Sequence, residues 1–229
     1  MKLSDSTTQI LKNYASINSN IVFNPGSRIT TISEARNILS SATVDAEFPS
    51  CFGVYDLNEF LGVLSLVDEP QVKFEDKFAV IADSTGRSKI KYFFTDTDML
   101  TSPNGTMLDK AMAMDSFEVE FELDPDTLNK VKRAASALGH SVVSVTADNG
   151  SLVLTVFDAE NPTTNTFSID LNGTYESENF SLVLSIANLK IIPGTYNVGL
   201  SSKLMSRFTH TEQDVTYWIA LEKSSTYGA

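Results

Sequence analysis

The stretch Tyr55–Val67, YDLNEFLGVLSLV, decides the fold. It reads as a short amphipathic helix with its own start signal. Asp56 caps the first turn, and Glu59, three residues on, reaches back to complete a capping box. Leu57, Phe60, Leu61, Leu64 and Val67 fall at i, i+3, i+4, i+7 and i+10, one apolar stripe. Asn58, Glu59 and Gly62 take the opposite face. Asp68-Glu69-Pro70 ends the helix, because Pro70 disfavours a helical residue before it. The segments around it read as strands, so the stripe must cover a sheet. The expected class is α+β, with helices laid on antiparallel sheet.

Toward the N-terminus, Ser4 is an N-cap with Asp5 in the first turn. Ile10, Leu11, Tyr14 and Ile17 follow at helical spacing, with Lys12 and Ser16 opposite, and Asn18-Ser19-Asn20 closes the helix. Ile21–Phe23, a turn at Pro25-Gly26 and Arg28–Ile32 predict a hairpin. Asn37–Ala46 and Phe48–Val54 predict two more strands. Beyond the central helix, Val72–Phe74 and Phe78–Ala82 form a hairpin across Asp76-Lys77, and Lys89–Phe94 is a strand.

From about Thr95 to Asp115 the periodicity breaks. TDTDMLTSPNGTMLDKAMAMD holds Pro103, Asn104-Gly105 and four of the six methionines, Met99, Met107, Met112 and Met114. This segment is the expected connector between domains 1–110 and 111–229. Its methionines serve either as packing filler or as an adaptable partner surface.

The second half begins with strict alternation. Phe117, Val119, Phe121 and Leu123 lie on one side, and Glu118, Glu120 and Glu122 on the other, a half-buried strand with an acidic outer face. Asp124 then caps a helix with Pro125 at its first position. Leu128, Val131, Ala135 and Leu138 form the stripe, and Gly139 supplies the stop. Val142–Ala147, Asn149-Gly150 and Leu152–Phe157 form a hairpin. Thr166–Leu171, Phe180–Leu184, Gly194–Ser201, Met205–Thr209 and Val215–Leu221 are further strands, and Ser185–Ile191 has room for a short helix. Both halves therefore run helix, strands, second helix, strands, which predicts two similar helix-on-sheet domains with four sheet-backed helices.

The totals fit this picture. The chain has 229 residues, 42% hydrophobic, with a mean hydropathy of -0.05, ordinary for a globular protein. No apolar run approaches the roughly 20 residues of a membrane span, and MKLSDSTTQ lacks a signal peptide's apolar region. One cysteine, Cys51, excludes an intramolecular disulfide and a cysteine-rich zinc site, and fits a reducing cytoplasm. It lies in the apolar run PSCFGVY, where a buried structural role is expected.

Catalytic signatures are missing. His140 and His210 lie far apart without metal-ligand spacing and read as turn or surface residues. No nucleophile elbow, phosphate-binding loop, zincin motif or dinucleotide fingerprint occurs. The carboxylates leave a glycosidase-type pair open, although Asp96/Asp98, Asp124/Asp126 and Glu118/Glu120/Glu122 serve equally as turn, cap and solvated-strand residues. No metal or cofactor is implied. A carboxylate-based hydrolase and a structural assembly protein without a DNA role remain alternatives to a scaffold that works by shape.

The net charge of -12 opposes general affinity for nucleic acid, so the placement of the 17 Lys and Arg matters more than their sum. Lys130 and Arg133 stand opposite the apolar stripe of the helix at Asp124, with Lys132 on its flank. Lys12 holds the outward face of the first helix, and Lys190 lies at the expected short helix. Either this is a routine solvated face, or the helices meet a polyanion through phosphate contacts that carry no sequence information.

Three stretches carry a resemblance: MKLSDSTTQILKNYASINS at residues 1–19, YDLNEFLGVLSLV, and, in support, PGTYNVGL at residues 193–200. Together they resemble the sliding clamps of T-even-type bacteriophages, the processivity factors of DNA polymerases. The resemblance implies a non-enzymatic homotrimeric ring in the cytoplasm of an infected bacterial host. Each subunit would carry two clamp domains, helices inside and sheets outside, with duplex DNA threaded through. An ATP-dependent clamp loader opens such rings. The polymerase attaches through a hydrophobic C-terminal peptide, and late-transcription proteins also bind. By position, Lys12, Lys130, Arg133 and Lys190 would face DNA, with Lys132 and Lys2 as weaker candidates. A partner-peptide pocket beside the connector would draw on Met99, Leu100, Met107, Leu108, Leu204 and Trp218. The connector has one proline, Pro103, where the family has several.

Overall fold

A computed structural model describes residues 1–177 and 179–228. The chain forms two compact units, Met1–Leu108 and Asp109–Ala229.

The first unit opens with α1 (Asp5–Ile17), capped by the Ser4 hydroxyl, which accepts the Thr7 N–H at 3.1 Å. Then come β1 (Ile21–Phe23), β2 (Gly26–Ile32), β3 (Ile38–Phe48) and β4 (Phe52–Val54). The central helix is α2 (Leu57–Ser65), followed by β5 (Gln71–Phe74), β6 (Phe78–Ala82) and β7 (Lys89–Phe93). Leu57 and Phe60 of α2 are almost fully buried, as the stripe predicts. Asp56 accepts the Asn58 and Glu59 amides at 2.9 and 3.1 Å. The reciprocal arm of the expected capping box is replaced. The Glu59 carboxylate accepts the Tyr92 hydroxyl at 3.4 Å, and burial together with Glu59 pushes that phenol up to about 12.

β2 and β3 pair antiparallel, and β5, β6 and β7 form a three-stranded sheet. The predicted hairpin across Pro25-Gly26 is corrected, since β1 pairs with β4, Ile21 opposite Val54. Phe23, Phe48, Phe52, Phe74 and Phe94 explain the preference. Their rings meet at centroid distances of 4.4 to 6.4 Å, an aromatic cluster that draws β4 beside β1. Tyr14 of α1 is fully buried and its hydroxyl meets the Ser40 hydroxyl at 3.0 Å, so the helix is keyed to β3. Cys51 is exposed in the turn before β4, which corrects the expectation of a buried cysteine. A 3-10 turn (Thr97–Met99) and α3 (Gly105–Met112) follow, where the methionine-rich segment lost its periodicity.

The second unit contains β8 (Val119–Leu123), α4 (Pro125–Leu138), β9 (Val142–Asp148), β10 (Ser151–Phe157), β11 (Phe167–Leu171), β12 (Gly173–Tyr175), β13 (Phe180–Ser185), β14 (Tyr196–Ser201), β15 (Met205–His210), β16 (Val215–Ala220) and β17 (Thr226–Tyr227). One sheet runs β11-β10-β9-β13-β17. In the other layer β12, β8, β14, β15 and β16 are neighbours in that order. A core between the layers joins Leu128 and Val131 of α4 to Phe121, Val145, Leu154 and Phe208. The short strands β12 and β17, two or three residues long, leave too brief an alternation to read from sequence.

Two further expectations are corrected here. Ser185–Ile191 folds as a single 3-10 turn, Ile186–Asn188, because Leu189, Ile191 and Ile192 all turn inward and leave no helical stripe. The sheet-backed helices are therefore α1, α2 and α4. His210 is buried. Its Nδ1 accepts the Glu212 and Gln213 amides at 3.0 and 3.1 Å, and its ring packs edge-on against Tyr196.

Candidate nucleic-acid interface

Helix α4 carries the densest group of cations, and its sequence fixes which face they occupy. The Asp124 carboxylate accepts the Thr127 amide and hydroxyl at 2.9 and 2.7 Å, and Gly139 ends the helix in the left-handed conformation at φ 72°. Between these stops Thr127, Leu128, Val131 and Ala135 turn inward. Lys130 and Arg133 are left exposed on the other face. Neither has a carboxylate within salt-bridge distance among the described residues. Lys132 is half-buried on the flank, where loss of solvent lowers its ammonium below the usual lysine range. The helix bears three cations against one carboxylate, Asp126.

The first unit is less basic. Lys12 is exposed on α1, and α2 has Glu59 but no cation. Lys2 and Lys12 line a groove of about 330 Å³ between α1 and α2, together with Asp5, Leu61, Leu64 and Glu69. Lys2 is engaged there with Glu69 at 3.2 Å. Lys190 is exposed in the segment after the 3-10 turn and is not part of a helix, contrary to its expected place on one. The structure thus brings Lys130 and Arg133 together on one face and Lys2 and Lys12 into one groove, while Lys190 follows Leu189, which packs with Leu128 and Val131 of α4.

The nominated apolar residues differ from one another. Met99 closes its 3-10 turn at 77% exposure, and Leu100 after it is half-buried, its side chain close over Gly53. Met107 and Leu108 are half-buried on α3. Leu204 sits in the turn between β14 and β15 at φ 61°, half-buried, and its carbonyl accepts the Leu221 amide at 3.0 Å. Trp218 of β16 is buried.

Sequence reasoning missed Arg207. The alternation of MSRFTH places it on the face of β15 away from Ser206 and Phe208, but only the strand register reveals its neighbours. Its guanidinium lies over the Phe117 ring at 4.4 Å and donates to the Met114 carbonyl at 2.8 Å. Glu118, next in sequence to Phe117, accepts from the Ser202 hydroxyl and amide. Burial raises the Glu118 pKa, but these bonds outweigh it and leave the carboxyl below its ordinary range.

Comparison with known proteins agrees with this architecture. Residues 2–98 match the family described as DNA polymerase processivity factor, and residues 120–223 match gp45 sliding clamp, C terminal. The sliding clamp of Vibrio phage KVP40 is 32% identical over 97% of this chain and 99% of that protein. Those of Escherichia phage RB69 and Enterobacteria phage T4 are 32% and 31% identical, each over 99% of both chains. The fold is that of a crystal structure of proliferating cellular nuclear antigen from Entamoeba histolytica, with a TM-score of 0.65 at 12% identity over 94% of both chains. It is also that of the PCNA2-PCNA3 complex from Sulfolobus tokodaii, with a TM-score of 0.68 at 14% identity over 97% of this chain and 99% of that one.

Proposed function

The chain belongs to the sliding-clamp family of DNA polymerase processivity factors, and from that premise we propose that three copies close into a ring around duplex DNA and tether the replicative polymerase. The family is non-enzymatic. A ring holds DNA by topology, so its lining needs only enough positive charge to keep the duplex centred. Tight phosphate binding would resist sliding. The observation that carries the reading is the exposed face of α4, where Lys130 and Arg133 have no salt bridge among the described residues, in a chain of net charge -12. Acidic surroundings discourage DNA from adhering elsewhere.

Lys130 and Arg133 are the principal phosphate contacts in this reading, with Lys12 and Lys190 in support. Lys132 and Lys2 contribute less, because one is desolvated and the other engaged by Glu69. Met99, Leu100, Met107, Leu108, Leu204 and Trp218 are the proposed lining for partner peptides, and the clamp domains are proposed to meet near residue 110. The same ring is the substrate of an ATP-dependent loader and a platform for late-transcription proteins in the infected bacterial cytoplasm. Ring closure uses open sheet edges. Among the described residues β7 hydrogen-bonds along its length to β6 alone and β11 to β10 alone, whereas Met1 occupies the outer edge of β5 at Val72. Lys89 and Lys91 on β7 complement Asp170 on β11.

The test is the double variant Lys130→Glu/Arg133→Glu. Processive synthesis at physiological salt falls by about tenfold or more while the trimer mass, three times 25.1 kDa, is unchanged. Unchanged processivity would remove α4 from the DNA-facing surface.

A further inference from the structure

The tripeptide Asn18-Ser19-Asn20 does more than end α1. The Asn18 backbone N–H donates to the Tyr14 carbonyl at 2.9 Å and closes the last turn. The Ser19 carbonyl accepts the Leu57 amide at 2.7 Å and so holds the first residue of α2. The two asparagine side chains reach a third segment, far along the chain. Asn20 Oδ1 accepts the Thr101 amide at 3.1 Å. Asn18 Nδ2 donates to the Thr101 carbonyl at 3.3 Å and to the Ile32 carbonyl at 2.8 Å. Asn18 Oδ1 accepts the Asn20 amide at 3.1 Å, which ties the two residues to each other. Asn18 is only 3% exposed, and its side-chain amide is used as donor twice and as acceptor once. Both main-chain groups of Thr101 are therefore held by side chains, where a loop residue ordinarily gives them to water.

The chain leading to Thr101 is fitted just as closely. The Thr95 amide donates to the Gly53 carbonyl at 2.9 Å, and the Leu100 side chain lies over Gly53. A Cβ at position 53 would run into the Thr95 carbonyl and the Leu100 side chain, so the glycine permits the approach. Past Thr101, Ser102 and Asn104 are exposed, and Asn104 Oδ1 opens α3 by accepting the Met107 amide at 2.8 Å. The Thr101 peptide is thus the fixed point from which the chain enters the helix that bears Met107, Leu108 and Met112.

We propose that Asn18 and Asn20 are positioning residues for polymerase engagement, and that their clasp on the Thr101 peptide sets where α3 presents its methionines. The proposal rests on the reading that Met107 and Leu108 belong to the partner surface. Methionine side chains adapt to a partner by themselves, so the backbone beneath them has to be held. An unclasped segment would lose conformational freedom each time the polymerase bound, which weakens binding.

The test uses the full-length clamp, with hydrogen exchange and the polymerase concentration that gives half-maximal processive synthesis as readouts. In the unaltered protein the Thr101 amide should exchange more slowly than that of exposed Ser102. Asn20→Ala should speed Thr101 exchange about fivefold and raise the half-saturating polymerase concentration about three- to tenfold. Synthesis at saturating polymerase should be retained. Asn20→Asp keeps an oxygen for the Thr101 amide and should restore both values. Rapid Thr101 exchange in the unaltered protein overturns the clasp, even if no variant assembles. Faster exchange in Asn20→Ala with the half-saturating concentration unmoved overturns the positioning role. Leu108→Asp then separates the two ideas. If it weakens polymerase engagement, the partner-surface reading stands and the positioning role alone fails. If it also changes nothing, both fail.

Discussion

The Asp124 carboxylate holds the first turn of α4 through the Thr127 amide and hydroxyl, and those bonds keep its carboxyl below the ordinary range. Asp45 is lowered by the Thr7 and Ser4 hydroxyls. Asp83 is lowered to about 2 by Thr85 and the amides of Arg87 and Ser88. A carboxylate depressed in the folded state binds fewer protons there than in the unfolded chain. Its stabilisation is complete above the ordinary carboxylate pKa of about 4 and is lost as the pH falls through the folded value. Thermal unfolding should therefore be insensitive to these groups near neutrality and weaken steeply between pH 4 and the Asp83 value of about 2. Asp124→Ala should cost about 1 kcal/mol at pH 7 and make that acid decline shallower. A decline of unchanged steepness would show that the cap carries no proton linkage. Caps of this kind were legible because the capping residue and the amides it serves are close in sequence. Cys51 and His210 were not, because their burial depends on a turn and on strand partners distant in the chain.

At the scale of elements, α2 and α4 were readable from stripe and stops alone, and their buried faces match residue for residue at Leu57, Phe60, Leu128 and Val131. The stripe of α2 is the anchor of the first unit. Phe60 is 2% exposed and meets Tyr92 of β7 at a ring distance of 5.2 Å. Phe60→Ala should lower unfolding stability by about 3–5 kcal/mol, measured by denaturant titration. A loss below about 1 kcal/mol would mean that the helix does not depend on this contact. Strand pairing was less legible. The pairing of β1 with β4 depends on an aromatic cluster assembled from five separate segments, and a hairpin rule sees only neighbours. The expected helix at Ser185–Ile191 failed for a related reason. Leu189 and Ile191 are buried on either side of exposed Lys190, and a spacing of two has no helical period. Lys190 lost its helix with it, while Lys130 and Arg133 kept theirs. The clasp of Asn18 and Asn20 on Thr101 lies beyond sequence reading altogether, because its two sides stand 83 and 81 residues apart in the chain.

For the whole molecule, the clamp fold shared with processivity factors of phage and with proliferating cellular nuclear antigen was expected from the resemblance carried by residues 1–19, 55–67 and 193–200, whereas the repeated order of elements holds only in part, since the second half lacks its second helix. Function follows from that fold by assembly. A single chain presents one cationic α4 and one weakly basic α1, too little charge to hold DNA, but a closed ring multiplies both and adds a topological link. The reading therefore depends on closure more than on any one contact. The direct measurement is an electron micrograph of the purified particle at physiological salt. The account predicts closed annuli of three subunits around an open central hole. Compact particles without a hole, or single subunits at high concentration, would contradict it.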